Sequence, residues 1–134
     1  MKIFITDEHN QFRLVGTLAH LDTGSGKAAV EIYDGDMPEQ GEPTGNLLVS
    51  IPLTKPAGTL VGGKLALTAE SIPLVLRSGQ ASCGVVRTAA GHLSMVGDVS
   101  AASETDEAMM GAIKLDKVDL LAGGSVQLVS ALIG

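Results

Sequence analysis

Short apolar segments separated by glycine-rich turns recur along most of the chain, at a spacing of roughly 8–12 residues. Apolar and polar residues alternate within these segments, which is the period of a strand that buries one face. In the segment 27–34, Val30 and Ile32 share one predicted face, and Lys27 and Glu31 share the other. The pattern predicts about seven to nine short strands in one all-β domain, either a sandwich or a barrel.

Glycine and proline predict where these strands end. Gly62-Gly63 stands between two apolar segments and predicts a β-hairpin, with Leu65 and Leu67 facing the core. Residues 56–58 predict a turn that separates two strands. The predicted strands cover residues 27–34, 47–53, 59–61, 64–68, 81–88, 93–99, a segment that begins at 113 and continues towards 121, and 126–133, with loops at 35–45 and 100–108.

A helix is predicted near the N-terminus, over residues 9–22, where apolar side chains recur every three residues. The apolar positions at this spacing are Phe12, Val15, Leu18 and Leu21. Asp7 or Asn10 is the predicted N-cap, and the glycine-containing turn at 23–26 is the predicted end. A strand over residues 11–19 is the competing interpretation.

Composition restricts the class of protein. The chain has 134 residues, which suits one domain over 1–134, with residues 1–8 as a candidate N-terminal arm. It carries 9 Lys+Arg against 15 Asp+Glu, a net charge of −6, and 2% aromatic residues, so we expect no nucleic-acid partner. Cys83 is the only cysteine, which excludes a disulfide scaffold. No apolar run reaches the roughly 18 residues of a membrane span, and acidic residues interrupt the N-terminus, so we expect neither a membrane partner nor a signal peptide.

No group of residues predicts catalysis or metal binding. Cys83 lies on a predicted buried strand and is interpreted as a small core side chain. The three histidines, which form no metal-binding pair, are His9, His20 and His92. The sequence Asp34-Gly35-Asp36 resembles the start of a calcium loop, but the twelfth position is Asn46 and not glutamate, which favours a simple turn. We therefore expect no enzymatic activity, no cofactor and no metal.

The order of several short motifs resembles a family of small virion proteins of tailed phages and prophages. The matching segments are Leu21–Gly26, Val30–Pro38, Leu47–Leu53, Gly63–Leu67, Ser78–Ala81, Gly97–Val99 and Gly123–Val126. Together they span about residues 18–133, nearly the whole chain, and their order carries more weight than any single segment. The chain departs from the family at Cys83, where the family usually has an aromatic residue.

The resemblance implies a capsid decoration (cement) protein that binds and stabilises an assembled phage head. It implies a jelly-roll-like antiparallel β-sandwich with a short N-terminal helix. The implied partner is the major capsid protein, the implied assembly is a homo-oligomer (a dimer or trimer), and the implied location is the capsid surface of the virion, after synthesis in the host cytoplasm. A neck or tail component is an alternative. So is a non-enzymatic β-sandwich that binds a carbohydrate or another ligand, for which only Tyr33 is a well-placed aromatic residue.

A decoration protein needs contact surfaces, and apolar residues that the predicted core does not use are candidates for them. The N-terminal run has strand propensity and is suited to adding to a sheet edge of a neighbour. The methionine pair is adaptable at contacts. The predicted interface residues are Ile3, Phe4, Ile5, Leu74, Leu76, Met109 and Met110.

Overall fold

Nine strands, one α-helix and a short 3₁₀-helix make up the regular structure of a computed structural model, which describes all residues from Met1 to Gly134. The elements are α1 (Asp7–Leu21), β1 (Ala29–Tyr33), β2 (Leu47–Val61), β3 (Lys64–Ala69), β4 (Gly79–Gln80), β5 (Cys83–Arg87), β6 (Leu93–Ala101), the 3₁₀-helix Glu107–Met109, β7 (Ile113–Leu115), β8 (Asp119–Leu120) and β9 (Leu128–Ile133). The prediction of a mainly β protein with one N-terminal helix is confirmed. No helix is long and apolar enough to cross a membrane.

Seven of the strands close into a barrel in the order β1-β2-β3-β9-β7-β6-β5, and β4 and β8 form a separate two-stranded sheet. Of the two architectures that the alternating pattern allowed, the structure is the barrel. Six of the seven neighbouring pairs are antiparallel, whereas β6 and β7 run parallel, with Val99 opposite Ile113. The sheet therefore differs from the purely antiparallel sandwich that we expected. Residues 102–112 supply the long connection that a parallel pair requires.

Aliphatic side chains from every wall of the barrel form the core. Val30 and Ile32 are fully buried, as the alternation predicted, while Glu31 and Tyr33 between and after them lie on the outer side of β1. Leu65 and Leu67 face inward, also as predicted. The β2–β3 hairpin turns at two glycines with positive φ, which is the geometry of the expected tight turn.

The helix begins earlier than predicted, and its cap is Thr6. The Thr6 hydroxyl oxygen accepts the backbone N–H of His9 at 3.1 Å, which satisfies one of the free donors of the first turn. The predicted caps are therefore wrong. Asp7 lies within the first turn, and the side-chain amide of Asn10 donates to the carbonyl of Gly63 at 2.8 Å. The N-terminal arm is accordingly residues 1–6, and not 1–8. The competing strand over 11–19 is wrong as well.

The helix packs on the barrel through only half of the predicted face, Leu18 and Leu21, together with Leu14 beside it. Leu14 and Leu21 are buried and Leu18 packs against the core, whereas Phe12 is 71% exposed and Val15 is 51% exposed. A step of three residues turns an α-helix by about 300°, so four positions at that spacing spread over roughly half of its circumference. The three-residue repeat therefore grouped residues that lie on opposite sides of α1: Phe12 and Val15 face solvent, whereas Leu18 and Leu21 face the barrel.

The turn predicted at residues 56–58 is an irregularity inside one long strand. The first half of β2 pairs with β1, the second half pairs with β3, and the register shifts between Leu53 and Gly58. The intervening residues have partners in the α1–β1 connection. Asp22 accepts the backbone N–H of Ala57 at 3.0 Å, and the Lys55 ammonium donates to the carbonyl of Gly24 at 2.8 Å. Because these groups have partners there, the predicted separate strand 59–61 is the end of β2.

Most other strand boundaries agree with the prediction within two residues, but the segment predicted from 113 towards 121 is two separate strands, β7 and β8, and β4 was not predicted. β5 is shorter than predicted at both ends, and β9 begins two residues later than predicted. β6 continues through residues 100 and 101, which the prediction assigned to a loop. The remainder of that predicted loop contains the 3₁₀-helix.

Two glycine substitutions test the placement of α1 and β2. A Cβ on Gly16 meets no atom within 4 Å, whereas a Cβ on Gly58 lies 2.3 Å from the carbonyl oxygen of Ala66. We expect Gly16→Ala to raise the free energy of unfolding by about 0.5–1 kcal/mol. We expect Gly58→Ala to lower it by more than about 1 kcal/mol, because β3 must move. Urea unfolding followed by circular dichroism measures both. An unchanged midpoint for Gly58→Ala would contradict the β2–β3 register.

Candidate interaction surfaces

Large apolar side chains lie on the surface in several separate groups. They include all seven predicted interface residues, and the structure distributes those seven over three places: the N-terminal arm, the segment after Pro73, and the 3₁₀-helix. The exposed large apolar residues are Met1, Ile3, Phe4, Ile5, Phe12, Val15, Met37, Val61, Ile72, Leu74, Leu76, Met109, Met110, Leu121, Val129 and Leu132. Their role in an interface stays a prediction.

The N-terminal arm, residues 1–6, projects from the start of α1. Ile3 and Phe4 are each 89% exposed. No backbone hydrogen bond involves residues 1–5, and the first one along the chain joins Asn10 N–H to the Thr6 carbonyl. Thr6 itself has extended backbone angles. The arm is therefore a largely apolar segment outside the regular structure, and the backbone groups of its first five residues are unpaired.

A second apolar surface, the loop patch, consists of Ile72, Leu74, Leu76 and Leu121. Its two segments are joined by backbone hydrogen bonds, since Val75 donates to Gly124 and accepts from Gly123 at 2.8 and 2.9 Å. Val75 is buried, so the leucines on either side of it point outward by strand alternation. The loop patch is also held against the barrel, because the Leu76 N–H donates to the carbonyl of Leu48 on β2 at 2.7 Å.

The predicted methionine pair lies apart from the other two surfaces. Asp106 caps the 3₁₀-helix by accepting the backbone N–H of Ala108 at 3.0 Å. Met109 lies at a shallow hollow beside Ser82 and Val99, and it is more exposed than its neighbour. The structure therefore brings neither methionine to the arm or to the loop patch.

The outer face of α1 is an apolar surface that the sequence analysis missed. Phe12, Val15, Gly16 and Ala19 lie on the side opposite the core-facing leucines, and all four are exposed. Plotting the helix at about 100° per residue separates two apolar stripes, and this signal was available in the sequence.

An apolar opening in the barrel wall was also missed. β7 fills the space between β6 and β9 over only three residues, and beyond its start the two flanking strands have no strand between them. The cavity there has a volume of about 100 Å³. Its lining is Leu67, Val86, Met95, Val96, Gly97, Ala112, Ile113, Ala131, Leu132 and Ile133. We call it the β6–β9 opening. No local sequence signal predicts it, because it depends on which strands become neighbours.

The main charged cluster attaches a loop to the barrel. Arg87 on β5 donates to Glu31 on β1, to the Tyr33 hydroxyl at 3.4 Å, and to both carboxylate oxygens of Glu42 at 2.5 and 3.2 Å. The hydrogen bond from Arg87 holds the pKa of Glu42 below its ordinary value. Burial raises the pKa of Tyr33. Since Arg87 has acceptors on three sides, the cluster fixes the segment 35–45 and leaves little capacity for a ligand.

The residues weighed for chemistry have structural roles. Cys83 is fully buried, and burial raises the pKa of its thiol, as befits a core side chain. The Asp34 carboxylate accepts the backbone N–H of Asn46 at 2.6 Å, and Gly35 has positive φ, so the predicted turn is confirmed. His20 lies 3.0 Å from the Ser94 hydroxyl through its Nδ1. No three histidine, cysteine or acidic side chains gather in one place.

The Arg87–Glu42 contact predicts a pH dependence of the loop. A carboxyl group with a lowered pKa keeps its contact at neutral pH and loses it as the pH falls through that lowered value. We expect the Glu42 carboxyl carbon, followed by NMR, to titrate at a lower pH in the wild type than in Arg87→Leu. Arg77→Leu is the matched control, because Arg77 donates to Asn46 and not to Glu42. An unchanged Glu42 titration in Arg87→Leu would contradict the contact.

Comparisons with known proteins do not name a family for this chain. A scan against models of protein families, a search of curated proteins and a search of solved structures each gave no match. The function is therefore inferred from the residues and the surfaces described above.

Proposed function

We propose that this protein is a structural virion protein, without catalytic activity, that binds the outside of an assembled phage head as a homo-oligomer and stabilises it. The observation that carries the proposal is the large exposed surface of the single chain. Its accessible surface is 7769 Å², whereas a folded monomer of this mass exposes about 6,600 Å². The difference of about 1,200 Å² is comparable to one or two partner surfaces of standard size.

The character of that surface agrees with its size. The arm, the loop patch and the outer face of α1 all present large apolar side chains to solvent. Soluble monomers seldom expose contiguous apolar patches beyond a few hundred Å², and larger ones mark contact sites. A protein that coats a repeating shell needs several such surfaces at once, because it meets both the shell and its own copies.

The motif order that resembles phage virion proteins supports the same proposal. Three of the matching motifs include a glycine turn: Gly35 follows β1, Gly63 turns the β2–β3 hairpin, and Gly123 lies in the segment that joins β8 to β9. Tight turns at these positions limit the freedom of the loops between strands, which suits a protein that reinforces a shell. The jelly-roll-like form is the finer part of this proposal, and its support is that most neighbouring strands in the barrel are antiparallel.

The alternatives use the same surfaces differently. A neck or tail component would also need apolar contacts, so the position on the virion distinguishes it from a head protein. A carbohydrate-binding module has less support, because the Tyr33 hydroxyl donates to Glu31 at 3.1 Å and accepts from Arg87. The aromatic residue on which that alternative depended is thus tied into the charged cluster.

Binding to undecorated heads tests the proposal. We expect the purified protein to bind heads of the encoding phage saturably, at a fixed number of copies per head, and to appear as outer-shell density in electron micrographs of virions. Leu74→Ser with Leu76→Ser removes apolar area from the loop patch, so its affinity should fall about tenfold or more.

Val129→Ser is the matched control, because Val129 is a similarly exposed apolar residue outside the predicted interface set. We expect it to bind as the wild type does. Density at the neck or tail in place of the shell would favour the alternative component. An absence of saturable binding and of virion density would overturn the proposal.

A further inference from the structure

We infer that the N-terminal arm of one copy of this chain inserts as an added strand into the β6–β9 opening of a second copy. The inference rests on the homo-oligomer of the proposed function and names the contact that would hold it together, whereas its test in solution needs no phage head. Two incomplete features of the structure carry it, an unfilled position in the barrel wall and an unpaired strand-forming segment.

The opening is a missing stretch of strand. β7 pairs with Val99–Ala101 of β6 and with Leu128–Ala131 of β9, and it separates these strands by two strand spacings, about 9–10 Å. β6 begins six residues before that pairing, and its residues Leu93–Val96 pair with β5 alone. β9 beyond Ala131 pairs with β3 alone. The edges of β6 and β9 beside the opening therefore have no strand partner there, and one further strand would pair with them.

Apolar side chains line the floor of the opening down to the core. Nine of its ten lining residues are hydrophobic, and Leu67 and Val86 belong to the barrel interior. Its volume of about 100 Å³ is somewhat below that of an engineered cavity of about 150 Å³ that binds benzene. The opening therefore accommodates the end of one isoleucine or phenylalanine side chain.

The arm has the properties that this space requires. The segment Lys2–Ile5 has strand propensity, because two of its four residues are β-branched. Its backbone groups make no hydrogen bond within the chain. In an extended segment Ile3 and Ile5 point to one side and Phe4 to the other. The side chains on one side of the segment would enter the apolar floor of the opening. The backbone of the segment would pair with the edges of β6 and β9, which is the binding mode called strand addition.

A second copy is the occupant that fits the observed exposure. In the single chain Ile3 and Phe4 stand almost fully in solvent, so the arm does not occupy its own opening. Each copy has one arm and one opening. Two copies that exchange arms close a dimer, and head-to-tail insertion closes a ring. Either arrangement would cover part of the excess surface of the single chain.

Sedimentation of the full-length chain without phage heads tests the inference. We expect the wild type to form a dimer or a closed ring, and the triple variant Ile3→Ser, Phe4→Ser, Ile5→Ser to bind about 100-fold more weakly or more. Its thermal unfolding as a monomer should change little, because Ile3 and Phe4 are each 89% exposed and only Ile5, at 42%, is partly covered by its own chain. Phe12→Ser with Val15→Ser is the control at other exposed apolar positions, 71% and 51% exposed, and it should leave the association intact.

A mixing experiment identifies the two partners of the contact. Leu132→Lys places a charge at the opening, where Leu132 is 52% exposed, and should abolish self-association. This variant keeps its arm, and the arm variant keeps its opening, so a mixture of the two should form a one-to-one pair that neither forms alone. Failure of the mixture to pair would overturn the inference, as would a wild type that stays monomeric at all concentrations.

Covalent trapping separates insertion between copies from insertion within one chain. We expect Phe4→Cys with Val96→Cys to form a disulfide between chains, visible as a covalent dimer on a non-reducing gel. The native Cys83 does not compete, because it is fully buried. A disulfide confined to a single chain would show that each arm fills its own opening, and the inference would be wrong.

Discussion

The barrel closes through β7, a strand of three residues that pairs with β6 along one edge and with β9 along the other. Two side chains of β6 accept the backbone donors that precede β7: the Ser100 hydroxyl accepts Gly111 N–H, and Asp98 accepts Ala112 N–H, each at 2.8 Å. These side chains bond the N–H groups of Gly111 and Ala112, which would otherwise pair with the backbone of β6 in a longer β7. The ladder between β6 and β7 therefore starts only at Ile113. The same short closure holds the barrel together and leaves the β6–β9 opening beside it.

The main hydrophobic cluster of this barrel consists of aliphatic side chains. Gly84 faces it from β5, and a Cβ there would lie 2.5 Å from the Ile113 side chain, so β5 passes close to β7. None of the three aromatic residues enters this core. Phe4 and Phe12 are largely exposed, and Tyr33 lies in the charged cluster on the outside. The low aromatic content, which argued against nucleic-acid binding, thus also fits the core. The core contains no aromatic side chain, and two of the three aromatic residues, Phe4 and Phe12, lie on the surface.

Local features of the structure could be predicted where neighbouring residues determine them. The faces of β1 follow from the alternation around Val30 and Ile32, and the β2–β3 hairpin follows from its two glycines. The prediction failed at the cap and the inner face of α1, because these depend on one hydroxyl and on an angular spacing finer than a three-residue repeat. It failed at residues 56–58 because their partners, Asp22 and Gly24, lie some thirty residues away.

Of the candidate surfaces, the sequence alone identified apolar residues that no predicted core position uses, such as Phe4, Leu74 and Met109, and all three are exposed. The alternation of apolar and polar residues within a short segment predicts which positions face the core, so apolar residues outside that pattern are expected at the surface. The sequence also determined the class of fold, since short alternating strands between glycine turns bury one face each. Only the tertiary structure decided that the sheet closes as a barrel, that β6 and β7 run parallel, and that an opening remains beside them. These outcomes depend on pairings between distant strands, where backbone hydrogen bonds carry no sequence signature.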